Sequence, residues 1–516
     1  MIRPPWAAFT RVERWALGAG LALAVAMMWP LRGYITDDTF IHLQVARHLA
    51  EGHGPVFNPG ERVYGSTSPL WVALLAAAMA LGADGLHAAR ALGGAATLVS
   101  IALMFQLLRQ TVRTPALRAA GTLAWAGHAW MLRWSLSGME AALAVALTLA
   151  GFVAFTGGAR WGARAPLIGA LWALAALTRP EGIVLVLLWG ALMLAGARDR
   201  EGVGRLVGGA LGPVLLYGGW LLFAAAFYGT LWPQTLAAKT AGAEGIAYHL
   251  GNLWRQARIV GATDALPALV LALAFVLGGA RGRAGGEGLA RWLPWAWVLG
   301  LPMLYAVRGV PVLSRYLLPA LPILGWLAWR AADRWWVGED PSPARARRAG
   351  RIAAALAALM LAQNAFVYRT EVLPHVRSFS AALEGSLVAW GRWFDLHAAA
   401  DAVIATPDIG AIGYYGRRRV VDLAGLVTPA MVPYLRRAEP ESAMVNFDFA
   451  TFSRPDYLVD RASERYRLLA ASRYGPCLIP LGEARVPDLG IAQSRPVVYS
   501  FYRVDWTVFD SLSARR

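Results

Sequence analysis

The stretch WALGAGLALAVAMMWPLRGYITDDTFI, residues 15–41, joins an apolar run to two adjacent carboxylates, Asp37 and Asp38. Trp15 to Leu31 is long enough to enter a bilayer, whose hydrocarbon core calls for about 17–25 apolar residues per helix. An aspartate at mid-membrane costs about 2.5–3.5 kcal/mol, so the pair belongs where the chain leaves the membrane. Acidic residues are scarce, 32 Asp plus Glu against 49 Lys plus Arg in 516 residues. Two together at a membrane face therefore ask for a reason. A general base, a metal site and a helix cap are the open readings.

The surrounding composition is that of an integral membrane protein. Hydrophobic residues make up 57% of the chain and mean hydropathy is +0.45. Apolar runs of roughly 17–22 residues recur through the first two thirds of the chain. The formal charge of +17 sits mainly in short loops between these runs. There it sets topology and forms no phosphate-tracking stripe, so no nucleic-acid partner is expected. The single cysteine, Cys477, excludes an intramolecular disulfide. Trp15–Leu31 lacks a small-residue cleavage site and reads as a retained signal anchor.

Membrane helices are expected at 12–32, 88–108, 116–134, 138–156, 165–179, 183–198, 206–227, 262–279, 291–307, 316–333 and 352–368. Pro69 to Ala83 is apolar but short, and the positive-inside rule decides it. If it does not cross, the loops carrying Arg109, Arg113 and Arg118, then Arg198, Arg200 and Arg205, then Arg345, Arg347 and Arg348, share the cytoplasmic side with Arg3, Arg11 and Arg14. If it crosses, those loops flip outward. Residues 69–83 are therefore a juxtamembrane or re-entrant helix, and the chain has about eleven spans, N-terminus inside and C-terminus outside. Two domains follow: a transmembrane domain over 1–368, with a first outer loop at 33–87, and an extracytoplasmic mixed α/β domain over 369–516. In the latter, Ala402–Ala405, Val420–Leu423, Tyr457–Val459 and Val497–Val504 read as strands separated by Pro and Gly.

This topology gathers the unusual polar sequence on the outer face. The first loop opens with the Asp pair, continues through an amphipathic stretch, and reaches Asn58-Pro-Gly-Glu-Arg-Val-Tyr64-Gly-Ser66-Thr67-Ser-Pro-Leu-Trp71. Turns, hydroxyls and the Tyr64 and Trp71 rings suit a polar substrate pocket. The bland alternative is that Asp38 caps the helix that follows. Lys239, Arg179, Arg308 and Arg315 fall near outer helix ends, at the level of a lipid phosphate, where interfacial snorkelling is the competing role. Arg179 and Glu181 flank Pro180 and can simply pair, and Glu140 can serve a helix dipole. His42, His48 and His53 match no usual metal spacing.

The motif Asp37-Asp38-Thr-Phe-Ile with Asn58 to Trp71 resembles the first periplasmic loop of GT-C membrane glycosyltransferases, in the branch of the mycobacterial terminal β-(1→2) arabinofuranosyltransferases. Ser137-Gly-Met-Glu140, Leu177-Thr-Arg-Pro-Glu-Gly182, Phe227-Tyr-Gly-Thr-Leu-Trp232-Pro-Gln234-Thr235 with Lys239, Ser314-Arg-Tyr-Leu-Leu-Pro319, Asp408 to Tyr415 and Asp422 to Leu426 match in order. The resemblance implies a sugar on a polyprenyl phosphate as donor, a cell-envelope glycan as acceptor, and inverting transfer outside a bacterial inner membrane. It implies a loop-one carboxylate as base, assigned to Asp38 with Asp37 able to exchange roles with it. Lys239 and Arg315 lead as phosphate ligands, and Trp232 and Gln234 join the pocket. Arabinofuranose is the expected sugar. A magnesium or manganese ion on the Asp pair is left open, as are a GT-C mannosyltransferase acting on protein or lipid and, from another class, a transporter or flippase of lipid-linked sugars. Asp408 and Asp422 are expected to be structural.

Overall fold

The computed structural model describes residues 9–157, 161–235, 245–278, 288–310, 312–337, 342–436, 444–463, 469, 472–486 and 496–514. The chain forms two compact units. Unit 1 comprises Met1–Arg32, Ala89–Leu221 and Gly245–Pro374, and unit 2 comprises Gly33–Ala88, Leu222–Glu244 and His375–Arg516. Division by packing thus departs from division by hydropathy, because the first outer loop packs with the C-terminal region.

Unit 1 is helical among its described residues. Its first helix, Arg11–Met28, starts with a capping box in which Thr10 and Glu13 each bind the other's backbone N–H. Glu13 is buried beside Arg118 and Arg109, which compensate its charge. The expected run 116–134 is two helices, Pro115–Ala126 and Ala129–Ser135. A Cβ at Gly127 would sit 2.5 Å from the Leu361 side chain, and His128 restarts the helix by accepting the Met131 N–H at 3.3 Å.

The expected run 262–279 is the second half of a longer helix, Ile246–Gly278, kinked at Asp264. Pro267 explains the kink: it lacks an N–H and frees the carbonyl of Thr263. Asn364 Nδ2 donates to that carbonyl at 3.0 Å, and Gln363 to those of Gly261 and Ala262. These amides satisfy three carbonyls at the break.

Among the described residues, five helices are long and apolar enough to cross a membrane by length and composition: Arg11–Leu31, Gly85–Thr111, Arg200–Tyr228, Ile246–Leu273 and Ala344–His397. Shorter apolar helices lie at Ala141–Thr156, Gly162–Thr178 and Pro180–Ala195. In unit 2, Pro69–Ala80 has 12 residues. At 1.5 Å per residue it covers about 18 Å, well short of the roughly 30 Å of hydrocarbon.

Unit 2 is built on a five-stranded sheet ordered β2-β1-β3-β5-β4, with β1 Val403–Thr406, β2 Arg419–Asp422, β3 Tyr457–Ser463, β4 Leu478–Val486 and β5 Val497–Val504. β1 runs parallel to β2 and β3, while β5 runs antiparallel to β3 and β4. Four strands fall where sequence placed them. β4 was missed because it carries Pro480 and Gly482, and the register slips between them. Such residues are tolerated on an edge strand, which is where β4 lies. The helix Gly410–Gly416 links β1 to β2.

The first loop covers the other sheet edge. Asn58 Oδ1 accepts the Val420 N–H at 3.0 Å and its Nδ2 donates to the Val420 carbonyl at 2.8 Å. One side chain thereby replaces a missing strand. Beside it, Glu61 pairs with Arg419 at 2.6 Å.

Candidate functional site

In unit 2 the helix Asp37–Ala50 begins after Thr36, which holds the N-cap position and bonds Thr39 through its hydroxyl at 2.9 Å. Neither aspartate caps this helix, which removes the reading of Asp38 as its N-cap. Asp37 instead caps another helix. Its Oδ2 accepts the Gly410 N–H at 2.9 Å and its Oδ1 the Ala411 N–H at 2.8 Å. Only glycine fits at 410, since a Cβ would overlap the Asp37 backbone carbonyl.

Burial first, then the charge of Asp408, pushes the Asp37 carboxyl up to about 7 against the opposing pull of those two amides, with Asp38 adding a smaller upward push. Each carboxylate oxygen carries two lone pairs, so the amides leave acceptor capacity on both. Asp38, one residue on, is half-buried.

Asp408 and Asp422 stand after and at the carboxyl ends of the parallel strands β1 and β2, the position at which such sheets place ligands. Asp408 accepts from Arg461 at 2.9 Å and from the Tyr499 hydroxyl at 2.7 Å. Asp422 is fully buried, accepts the Ala424 and Val427 N–H groups at 2.8 Å each, and so fixes the turn that follows β2. Burial raises its carboxyl to about 6.

The segment Phe227–Gln234 packs on the first loop. Tyr228 stacks on Tyr64 at 4.9 Å and donates to the Pro55 carbonyl at 2.7 Å, and the Gln234 N–H donates to the Tyr64 carbonyl at 2.8 Å. Ser66 and Thr67 are partly exposed beside it. Trp232 is 66% exposed and presents a free ring face. Trp71 does not: it is 0% exposed, enclosed in the core, and in this conformation has no face for a sugar. Lys239 lies outside the described residues. His48 Nδ1 lies 3.1 Å from the Val56 carbonyl oxygen. Among the described residues no three His, Cys, Asp or Glu side chains form a metal-holding group.

Unit 1 carries a second constellation. Arg179 is buried between Glu140 and Glu181, the latter at 2.5 Å. Its guanidinium also lies over the Tyr316 ring at 5.1 Å, and Arg315 lies over that ring at 5.3 Å and over Trp134 at 5.2 Å. Ser314 accepts from Trp134 Nε1 at 2.9 Å. The sequence candidates Glu140, Arg179 and Arg315 are thus brought together, and the Arg179–Glu181 pair is real. Arg308 is exposed, the last residue of its helix before the left-handed Gly309.

One residue of this group was missed. Arg133 lies 5.2 Å from the Trp134 ring and is only 5% exposed. Among the described residues its Nε and Nη2 have no hydrogen-bond partner. The signal was legible, since an ionisable residue inside an apolar run is a functional candidate by default; the run 116–134 absorbed it.

A family described as a domain of unknown function (DUF8728) matches residues 377–509. The terminal β-(1→2)-arabinofuranosyltransferase of Mycobacterium tuberculosis is 31% identical over 268 residues, covering 48% of this chain and 40% of that protein. Its counterpart in Corynebacterium glutamicum is 46% identical over 55 residues, 10% of this chain and 8% of that protein. The chain therefore matches less than half the length of either curated relative. Among solved structures, ArnT from Cupriavidus metallidurans bound to undecaprenyl phosphate superposes with a TM-score of 0.55 at 14% identity, covering 94% of this chain and 97% of that one. The arabinofuranosyltransferase AftD from Mycobacteria gives 0.53 at 17% identity, over 98% of this chain and 40% of that one. The chain shares the fold of these solved structures.

Proposed function

We propose that this protein transfers a sugar from a polyprenyl-phosphate donor to a hydroxyl of a cell-envelope glycan, with inversion, on the outer side of the cytoplasmic membrane. The observation that carries the reading is Asp37: a carboxylate held in fixed orientation by two backbone amides, with its proton affinity raised to about 7. A general base works best with a pKa near the operating pH, and perturbed carboxylates concentrate at functional sites. The sequence favoured Asp38 by a narrow margin; these properties favour Asp37, with Asp38 beside it.

In the step proposed, Asp37 takes the acceptor's hydroxyl proton as its oxygen attacks the anomeric carbon. The bond from that carbon to the phosphate oxygen breaks, and the polyprenyl phosphate leaves with the electron pair. One displacement inverts the centre and needs no carboxylate nucleophile. Within unit 1 taken by itself, Arg133 beside Trp134 is a group suited to a phosphate, because two of its buried nitrogens lack hydrogen-bond partners among the described residues, whereas Arg179 is already matched by two carboxylates. Undecaprenyl phosphate in the ArnT structure supports a polyprenyl-phosphate donor, and the arabinofuranosyltransferase relatives support arabinofuranose as the sugar.

The test is transfer by the detergent-purified chain from synthetic polyprenyl-phospho-arabinofuranose, with mannose and glucose congeners in parallel, reading release of polyprenyl phosphate. Arabinofuranose is expected to be used in preference. No release from any donor with a glycan acceptor present would remove the reading. A second expectation follows from charge. Asp408→Asn removes the like charge that helps hold Asp37 up, so the acid limb of the pH profile shifts to lower pH. An unmoved limb in a folded variant means that Asp37 does not set it.

A further inference from the structure

Within unit 2, away from the Asp37 carboxylate, the far end of the Asp37–Ala50 helix meets the turn after Gly416 in a cleft of about 330 Å³ lined by Arg47, His48, Glu51, Arg417, Arg418 and Arg419 among others. Two of the four arginines are structural. Arg418 donates to the carbonyls of Ala398 and Ala399 at 2.8 and 2.7 Å and pairs with Asp395 at 3.6 Å. Arg419 is matched by Glu61.

Arg47 and Arg417 are different. Arg47 donates only to neutral acceptors, the Tyr414 carbonyl at 2.9 Å and Gln44 Oε1 at 2.5 Å, and has no carboxylate within salt-bridge distance among the described residues. Arg417 is exposed and makes no side-chain hydrogen bond or ion pair among the described residues. The two lie close enough for Arg417 to depress the proton affinity of Arg47, after the larger effect of burial.

A plain structural role would be to complement the negative ends of the helices Asp37–Ala50 and Gly410–Gly416. That effect is small, and any cation nearby supplies it. It does not account for the backbone of Arg417, which sits in the left-handed region at φ 49°. Glycine or asparagine is the ordinary occupant of such a helix end, and another side chain there strains the backbone. The cost of keeping an arginine at this position is at least as large as its gain from the dipole. Its side chain must therefore contribute something that glycine does not.

We propose that this cleft binds an anionic saccharide, a sugar unit bearing a carboxylate or phosphate, through the paired forks of Arg47 and Arg417. Guanidinium forks match such groups in two-point geometry. The volume lies at the lower end of the range for small-ligand sites, about 300–1,000 Å³. Every lining residue but Pro59 carries a polar side chain, which favours a hydrogen-bonding sugar unit over an acyl chain. The proposal rests on the glycosyltransferase reading only in making the bound saccharide part of the acceptor.

The test is direct binding to the full chain in detergent, with no turnover, so its failure and the failure of the transfer reading are separate events. Trigalacturonate is the probe, maltotriose the neutral control, and phosphatidylglycerol vesicles the lipid control. The substitutions are Arg417→Gly, which relieves the backbone, and Arg417→Asn, which tolerates it. Trigalacturonate is expected to bind in a salt-sensitive manner, maltotriose not to bind, and both variants to lose at least tenfold in affinity with an unchanged or raised unfolding midpoint. Equal affinity in wild type and either variant overturns the proposal. So does equal binding of maltotriose, or binding to phosphatidylglycerol vesicles alone.

Discussion

Asp37→Asn is expected to lower the rate of sugar transfer by about 100- to 10,000-fold, the range that a positioned general base contributes. Asparagine keeps the shape but removes the basic lone-pair charge. It also offers an NH2 group where the carboxylate accepts a second backbone N–H, from Gly410 or Ala411. One donor is then left facing another, at a cost of about 1–3 kcal/mol. The kinetic loss exceeds what this local cost explains, provided that the variant remains folded by thermal unfolding in detergent. The wild-type pH profile gives an independent readout. The Asp37 carboxyl titrates at about 7 rather than the usual 3.8, so below that pH it holds its proton and cannot accept another. Transfer efficiency should therefore rise about tenfold per unit from pH 5 towards pH 7 and then level off. Asp38→Asn should retain more activity than Asp37→Asn. A flat profile between pH 5 and 8, or the opposite ranking of the two variants, would return the base to Asp38.

Arg179→Ala should cost about 3–5 kcal/mol of stability, because removing one partner of a buried ion pair leaves uncompensated charge. Here it leaves two carboxylates, Glu140 and Glu181, which are 4% and 5% exposed. The measurement is the unfolding midpoint in detergent. Adding Glu140→Gln and Glu181→Gln to Arg179→Ala should recover much of the loss, since neutral amides in the same places carry no charge to desolvate. Failure of that recovery would mean that the Arg179 contact with the Tyr316 ring, not charge compensation, holds the site together. Arg133→Leu is the instructive contrast. Arg133 is buried with two nitrogens lacking partners among the described residues, so its replacement should leave stability unchanged or higher while weakening the use of a polyprenyl-phosphate donor. One arginine of the group stabilises; the other is held at a cost.

Several features were legible because they are local. The β1, β2, β3 and β5 segments are short apolar stretches bounded by turn residues, and each lies within a few positions of its expected place. The short apolar segment Pro69–Ala83 reads as non-crossing by the placement of arginines in the later loops, and the helix there, Pro69–Ala80, has 12 residues. Other features failed for equally physical reasons. The run 116–134 looks continuous in hydropathy, which does not register that His128 reaches Asp264 at 2.9 Å and restarts the helix. Trp71 reads as an interfacial ring beside a polar loop, and only packing shows that it is enclosed.

The sequence by itself determined the class of molecule, the rough positions of its apolar runs, and the Asp37–Asp38 pair as its most informative polar feature. Hydropathy and charge act over a few residues, so a linear reading captures them. Tertiary structure alone decided which aspartate is held and how, because Asp37 meets amides 373 and 374 residues further along the chain. Neighbouring positions on a helix point about 100° apart, so two identical residues side by side in sequence meet different surroundings. The same dependence on remote contacts separated Arg179, matched by two carboxylates, from Arg133, two of whose nitrogens lack hydrogen-bond partners among the described residues.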